Sequence, residues 1–406
     1  MSEERFLTGV NYWPRRKAMY WWSDFDAAEV ADEFDIIASL DMDVVRVFLL
    51  WDDWQPDPDS VATGCLDNFG TVCDLASERG LGLDVTFFTG HMSGPNWAPG
   101  WLLDASAPSY PSPHVRQVIS GGAVTPLPYR NMFHDPTAID AERILLSTVV
   151  GEFADHEAIW MWNLGNEPDL FAHPVNSDSG AAWVREMTSV IKELDQIHPV
   201  TTGLHTASLF EDNGLRVDQV FAESDVAVMH GYPMYVPWAS SELDPNFVPY
   251  LSALVTAMTG MPCLAEEWGG CTSPDTEGPQ TWEWSAYGTS RTQYMAGEAE
   301  FATYVAETLP RLVEVGATGA FLWCFADYAT ELWDRPPCDP GGARHERHFG
   351  LIRSDGTLKP HAEEIKKFAR TDPMIIEPVR SVTLDVTIDE YYADPHFHAQ
   401  RLYGDF

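Results

Sequence analysis

Eight short apolar runs, each followed by a longer amphipathic stretch, pace this sequence almost from end to end. They fall near residues 6–11, 44–50, 82–89, 159–165, 199–205, 226–231, 262–267 and 319–325. Helical periodicity marks Asp24 to Leu40, Asn68 to Arg79, Ile139 to Ala154, Ala181 to Ile197, Phe247 to Thr259 and Glu298 to Val315. Such alternation builds an α/β fold with a parallel sheet. Eight repeats of it predict a (β/α)8 TIM barrel over residues 1–372, with 373–406 as a short C-terminal extension packed on the barrel. The spaced Val382, Leu384, Val386 and Ile388 predict one or two strands in that extension.

A barrel places its chemistry on the loops after its strands. Three of those connections are long, His91 to Pro136, Gly269 to about Ala296 and Tyr328 to His348, and they carry Trp97, Trp101, Trp282, Trp284 and Trp333. Loops of this size at one face can wall a groove into a pocket. Strand parity sets Asn163, Gly165 and Glu167 on an inward face, opposite Trp160, Trp162 and Leu164. The same alternation puts Cys263, Ala265 and Glu267 inward, and Val44, Arg46 and Phe48 together. By parity, Glu266 points outward at the helices and is structural.

The net charge of −38, from 62 acidic and 24 basic residues, disfavours nucleic acid, anionic lipid and acidic substrates. A neutral substrate is expected. Six cysteines show no C-x-x-C pair, and Cys263 and Cys324 sit in apolar runs, as reduced core thiols would. No charged-then-apolar leader and no spanning apolar stretch is visible, so a cytoplasmic protein acting on something small is expected.

The strongest chemical signal is Trp162-Asn163-Leu164-Gly165-Asn166-Glu167-Pro168, where proline ends the strand and the glutamate projects from its tip. Glu267 ends a second strand within Leu264-Ala265-Glu266-Glu267-Trp268-Gly269. Two carboxyl groups converging on one sugar are what retaining glycoside cleavage needs, one as acid/base and one as nucleophile. Like charge and burial are expected to raise the acid's pKa. Arg46 and Tyr232 suit the ionised nucleophile as hydrogen-bond donors.

In these residues the chain resembles glycoside hydrolase family 5. The resemblance implies that Arg46 bonds the nucleophile and that His91 lines the pocket. It further implies that Asn166 binds the sugar 2-hydroxyl, Glu167 is the acid/base and Glu267 the nucleophile. His230 and Tyr232, in Met229-His230-Gly231-Tyr232-Pro233, match the pair that orients the carboxylates, and Trp323 the platform under the reacting sugar. The opening Gly9-Val10-Asn11-Tyr12-Trp13-Pro14 looks like the subfamily 18 exo-β-mannosidases, which implies short β-mannosides, including mannosyl-β-1,4-N-acetylglucosamine, as substrates. An endo-β-mannanase, a β-glucosidase, a transglycosylase and a non-catalytic sugar-binding protein are the alternatives.

Asn11, Tyr12, Trp13, Trp51, Asp52, Trp97, His205, Trp282 and Asp327 are further candidates for shaping the pocket, Asn11 and Trp282 foremost. His345-Glu346-Arg347-His348 spaces its histidines three apart, not the four of a zinc-protease helix, and reads as loop. No cofactor and no metal is expected, since neither a phosphate loop nor a metal-spaced cysteine–histidine cluster is present. The lysines, at 17, 192, 359, 366 and 367, avoid every strand end, which argues against Schiff-base chemistry.

Overall fold

In the computed structural model, which describes residues 4–108, 117–274 and 278–406, eight parallel strands form the barrel. They are β1 (Leu7–Asn11), β2 (Val44–Leu50), β3 (Gly82–Thr89), β4 (Ile159–Asn166), β5 (Val200–Gly203), β6 (Ala227–Gly231), β7 (Cys263–Gly269) and β8 (Gly319–Trp323). Each observed strand starts and ends within two residues of its expected run. The order is β5-β4-β3-β2-β1-β8-β7-β6. The last seam, β5 to β6, is held by the His205–His230 bridge and by His230 N–H donating to Leu204 O at 2.8 Å. The strands are buried on both faces, as in β2, where all seven residues are enclosed.

The outer helices follow from the amphipathic stretches, with sharp starts where the sequence supplies caps. Asp26 accepts from the N–H groups of Ala28 and Glu29, and Asp135 from those of Thr137 and Ala138 just before Pro136. The helix expected from Asn68 starts earlier, at Thr63. Among the helices with no counterpart in the expected pattern are Val217–Phe221, too short to show a period, and Pro360–Ala369.

The extension differs from expectation. It adds no strand; it runs back along the barrel and ends in two helices, Ile388–Ala393 and Pro395–Asp405. A closed barrel has no free edge for a further strand to join. The apolar residues are used for packing instead. Tyr391 and Tyr392 donate to Leu209 O and Ser208 O, and Tyr250 donates to Ala399 O.

The long connections are not structureless. A small sheet of Asn96–Trp97, Val118–Ser120 and Ala123–Thr125 rises after β3. After β7, Gln280–Ala286 and Thr289–Met295 pair as an antiparallel hairpin. Its two-residue turn puts Tyr287 and Gly288 at φ +53° and +80°, the left-handed pair that matches strand twist. Among the described residues no helix is long and apolar enough to cross a membrane.

Candidate active site

Glu167 follows the tip of β4 at φ +47°, a left-handed conformation that turns the chain sharply before Pro168 opens a short helix. Proline disfavours a right-handed helical conformation in its predecessor, and non-glycine residues at positive φ are strained, so tertiary contacts hold this turn. Glu167 Oε1 lies 3.0 Å from His230 Nδ1 on β6. Across the mouth, Glu267 Oε1 is 2.5 Å from Arg46 and its Oε2 accepts from Tyr232 Oη at 2.9 Å. One oxygen of Glu167, one of Glu267 and a ring nitrogen of His230 all lie within 4.8 Å of one another. That grouping is tight enough for a cation, but its donor atoms are already committed to one another, to Arg46 and to Tyr232.

β7 carries an irregularity that parity reasoning misses. Its register shifts against both neighbours between Leu264 and Trp268, so two successive glutamates face the interior. Glu266 does not point at the helices. It is fully buried in the barrel, accepting from Asn163 Nδ2 at 2.9 Å and lying 2.9 Å from His230 Nε2 and 3.4 Å from Arg46. A bulge re-aims a side chain without leaving a mark in the apolar alternation.

Arg46 sits beneath the cavity rather than in its wall. Besides Glu267 it meets Thr86 Oγ1 at 2.9 Å, Asn11 Oδ1 at 3.2 Å and Asn166 Oδ1 at 3.2 Å. Asn11 is a floor residue too, fully buried, with Nδ2 donating to Glu266 O and Leu322 O. The cavity, of about 470 Å³, is lined by Glu167, Glu267, His91, Asn166, His230, Tyr232 and Trp323, together with His205. Trp282 is not among the lining residues; it stands edge-on to His348, while Trp284, on the same face of its strand, lines the cavity. Trp13 stacks on Phe48, Asp52 binds Gly121 N–H, and Asp327 binds Lys359, so these serve the scaffold. Tyr12, Trp51 and Trp97 are buried outside the cavity lining.

Three long connections meet above the floor. Trp284 Nε1 donates to Gly342 O and Tyr287 N–H to Gly341 O, both at 2.9 Å. Gly94, at φ +106°, passes so close that a Cβ there would lie 3.0 Å from both Ala343 and the Tyr287 hydroxyl. Tyr235 Oη bonds His345 Nε2 at 2.8 Å. His345 and Glu346, which the sequence presents as plain loop, belong to a 3-10 turn over Arg344–His348 and line the cavity. The repeated polar–aromatic alternation around Tyr287-Gly288 is the signal that locates this wall.

Electrostatically the floor is one coupled unit. Burial opposes charge on His230, but Glu267, Glu167 and Glu266 outweigh it and raise the imidazole to about 9. Burial likewise pushes Glu266 up, and Arg46 and His230 more than offset it, holding the carboxyl below its usual range. Glu267 is pushed up by burial and by the facing Glu167, against His230 and Arg46. Glu167 departs from expectation: burial raises it, yet His205, His230 and His91 pull it below the ordinary glutamate value. Of the facing pair His230 and Glu167, 3.0 Å apart, the imidazole is therefore the one that holds a proton more tightly. In the wall, burial lifts Glu346 to about 8 and drops His345 to about 3, so both are neutral near pH 7.

No protein-family model matches the chain. It is 26% identical over 285 residues, 63% of the chain, to a mannan endo-1,4-beta-mannosidase A of Hypocrea jecorina, and spans 59% of that protein's length. Among solved structures, it shares the fold of an exo-beta-1,4-mannosidase from an Opitutaceae bacterium, with TM-score 0.71 and 24% identity over 91% of this chain and 60% of that one. A GH5_18 variant from Streptomyces cattleya, solved with Manb1-4GlcNAc, gives TM-score 0.79 at 20% identity over 99% of this chain and 90% of that one. The chain is thus similar in sequence to β-mannan hydrolases and shares the barrel fold of glycoside hydrolase family 5, subfamily 18 structures among them.

Proposed function

We propose that this protein is a family 5 glycoside hydrolase, a retaining exo-β-mannosidase acting on short neutral β-mannosides such as mannosyl-β-1,4-N-acetylglucosamine. The observation that carries the reading is the placing of Glu167 and Glu267, with facing oxygens within 4.8 Å, at the base of a cavity ringed by three connected loops. Retaining enzymes hold their carboxyl groups about 5–5.5 Å apart, whereas inverting ones need about 6.5–9.5 Å for an intervening water.

In this mechanism Glu267, aimed by Arg46 and Tyr232, attacks the anomeric carbon. Glu167 gives its proton to the departing oxygen, then takes one from water as the glycosyl–Glu267 ester is hydrolysed. Trp323 offers its face to the sugar, and Asn166 its amide to the 2-hydroxyl. The joined loops favour removal of a terminal sugar over cleavage within a chain, because the contacts of Trp284 and Tyr287 with Gly342 and Gly341 set a wall beside the two glutamates. The similarities to mannan and mannosyl-GlcNAc enzymes support mannose.

A panel of 4-nitrophenyl glycosides, with product analysis on mannosyl-GlcNAc and on mannan, tests the reading. Release of mannose from the β-mannoside and the disaccharide, with little fragmentation of mannan, is expected. Turnover of the β-glucoside alone overturns the mannoside assignment, and internal cleavage of mannan overturns the exo assignment.

A further inference from the structure

We propose that Glu266 is a positioning residue that works through His230, keeping that imidazole doubly protonated and aimed as the proton store for Glu167. The proposal rests on the glycosidase reading for its consequences in catalysis but not for its geometry. Glu266, His230 and Glu167 form a buried chain, 2.9 Å on one side of the ring and 3.0 Å on the other. Both ring nitrogens thus face carboxylates, and with Nε2–H given to Glu266 the ring cannot turn away from Glu167. Glu266 is itself pinned by Asn163 and Arg46, and neither oxygen faces the cavity.

The groups facing His230 are Glu167, Glu266 and Glu267, with the guanidinium of Arg46, the imidazole of His205 and the carboxyl of Asp84. Arg46 at 2.5 Å already neutralises Glu267. Glu266 is therefore the fixed charge that balances the imidazolium while Glu167 changes its protonation.

The step balances without a co-reactant. The Nδ1–H bond of His230 breaks as an O–H bond forms on Glu167, and His230 is left neutral with Nε2–H still donated to Glu266. The proton passes from Glu167 to the leaving oxygen. In the second half, Glu167 takes a proton from water and returns it to Nδ1.

Replacing Glu266 with glutamine keeps the shape and a hydrogen-bond acceptor but removes the charge, so the Glu167–His230 unit loses its proton at lower pH. The experiment is a pair of measurements on the full-length protein. Imidazole nitrogen NMR with labelled histidine, assigned by the spectrum of His230→Gln, reports protonation of His230 whether or not the protein hydrolyses anything. In the wild type both ring nitrogens are expected to remain protonated at pH 7; in Glu266→Gln one proton is lost roughly one to three pH units earlier. The alkaline limb of kcat/KM on a β-mannoside with a poor leaving group is expected to move in step, while an activated aryl mannoside is affected less. A wild-type His230 that is neutral at pH 7, or a Glu266→Gln variant with unmoved NMR and pH profiles, overturns the proposal. Should the variant not fold, the wild-type spectrum alone decides. A protein that turns over no glycoside yet shows the expected histidine signals contradicts the glycosidase reading and leaves this one standing.

Discussion

The floor of the barrel and the wall above it are built on different terms. On the floor, Arg46, Asn163, His230, Glu266 and Glu267 come from strand interiors and bond one another at 2.5–3.4 Å. In the wall, Trp284, Tyr287, Gly94, Ala343 and His345 come from connections and meet largely through backbone carbonyls and close packing. The difference teaches where each property of an enzyme is stored. Charged chemistry needs groups fixed by a rigid sheet, since buried charges are costly unless fully paired. Recognition of a particular sugar can be left to loops.

The largest effects should come from the floor. Glu267→Ala is expected to reduce kcat on any β-mannoside on the order of 10⁴-fold, as loss of a nucleophile does; full activity in a purified variant would sink the assignment. Glu167→Ala should cost about 10²–10⁴-fold with a poor leaving group and far less in the glycosylation of an activated one. Equal losses on both would contradict an acid role. Arg46→Met strands Glu267 and Glu266 without their guanidinium and is expected to lower unfolding free energy by about 3–5 kcal/mol, measured by denaturant titration. A variant as stable as the wild type would show that the floor is not a charge-paired unit.

The wall should respond more gently and differently. Trp284→Ala is predicted to raise KM for the disaccharide about tenfold, roughly 1.4 kcal/mol, with kcat on an aryl mannoside little changed. A fall in kcat alone would place Trp284 with the chemistry instead. The smallest effect concerns Glu346. Its folded pKa of about 8 lies above its unfolded value, so the native state binds the extra proton between them. Stability contributed by that proton is full below the unfolded pKa and is lost as pH rises towards 8. Glu346→Gln is expected to flatten this decline in a thermal-unfolding series across pH; an unchanged slope would mean that Glu346 is ionised in the fold.

The same division explains what could be read from the sequence. The strands are legible because a strand buried on both faces must be a continuous apolar run, and Glu167 and Glu267 because each ends such a run on an inward face among the other polar residues of the site. Parity misplaces Glu266 because the irregularity in β7 breaks the two-residue period without altering composition. Trp284 rather than Trp282 lines the cavity, and nothing in an alternating hairpin says which aromatic overhangs it. The tail's alternation suggested strands, and only the closed barrel, a property of all eight strands together, leaves them without an edge to join. Residues on regular strands are visible locally; those that depend on an irregular strand or on where loops meet are not.

The central claim is that Glu267 forms a bond to the sugar, and trapping that bond is its most direct test. Incubation with a 2-deoxy-2-fluoro-β-mannosyl fluoride, followed by intact-mass and peptide mapping, should show one fluoromannosyl unit per chain, carried by Glu267. Labelling of Glu266 or Glu346 instead, or steady turnover of mannosides with inversion at the anomeric carbon and no trapped ester, would contradict the account.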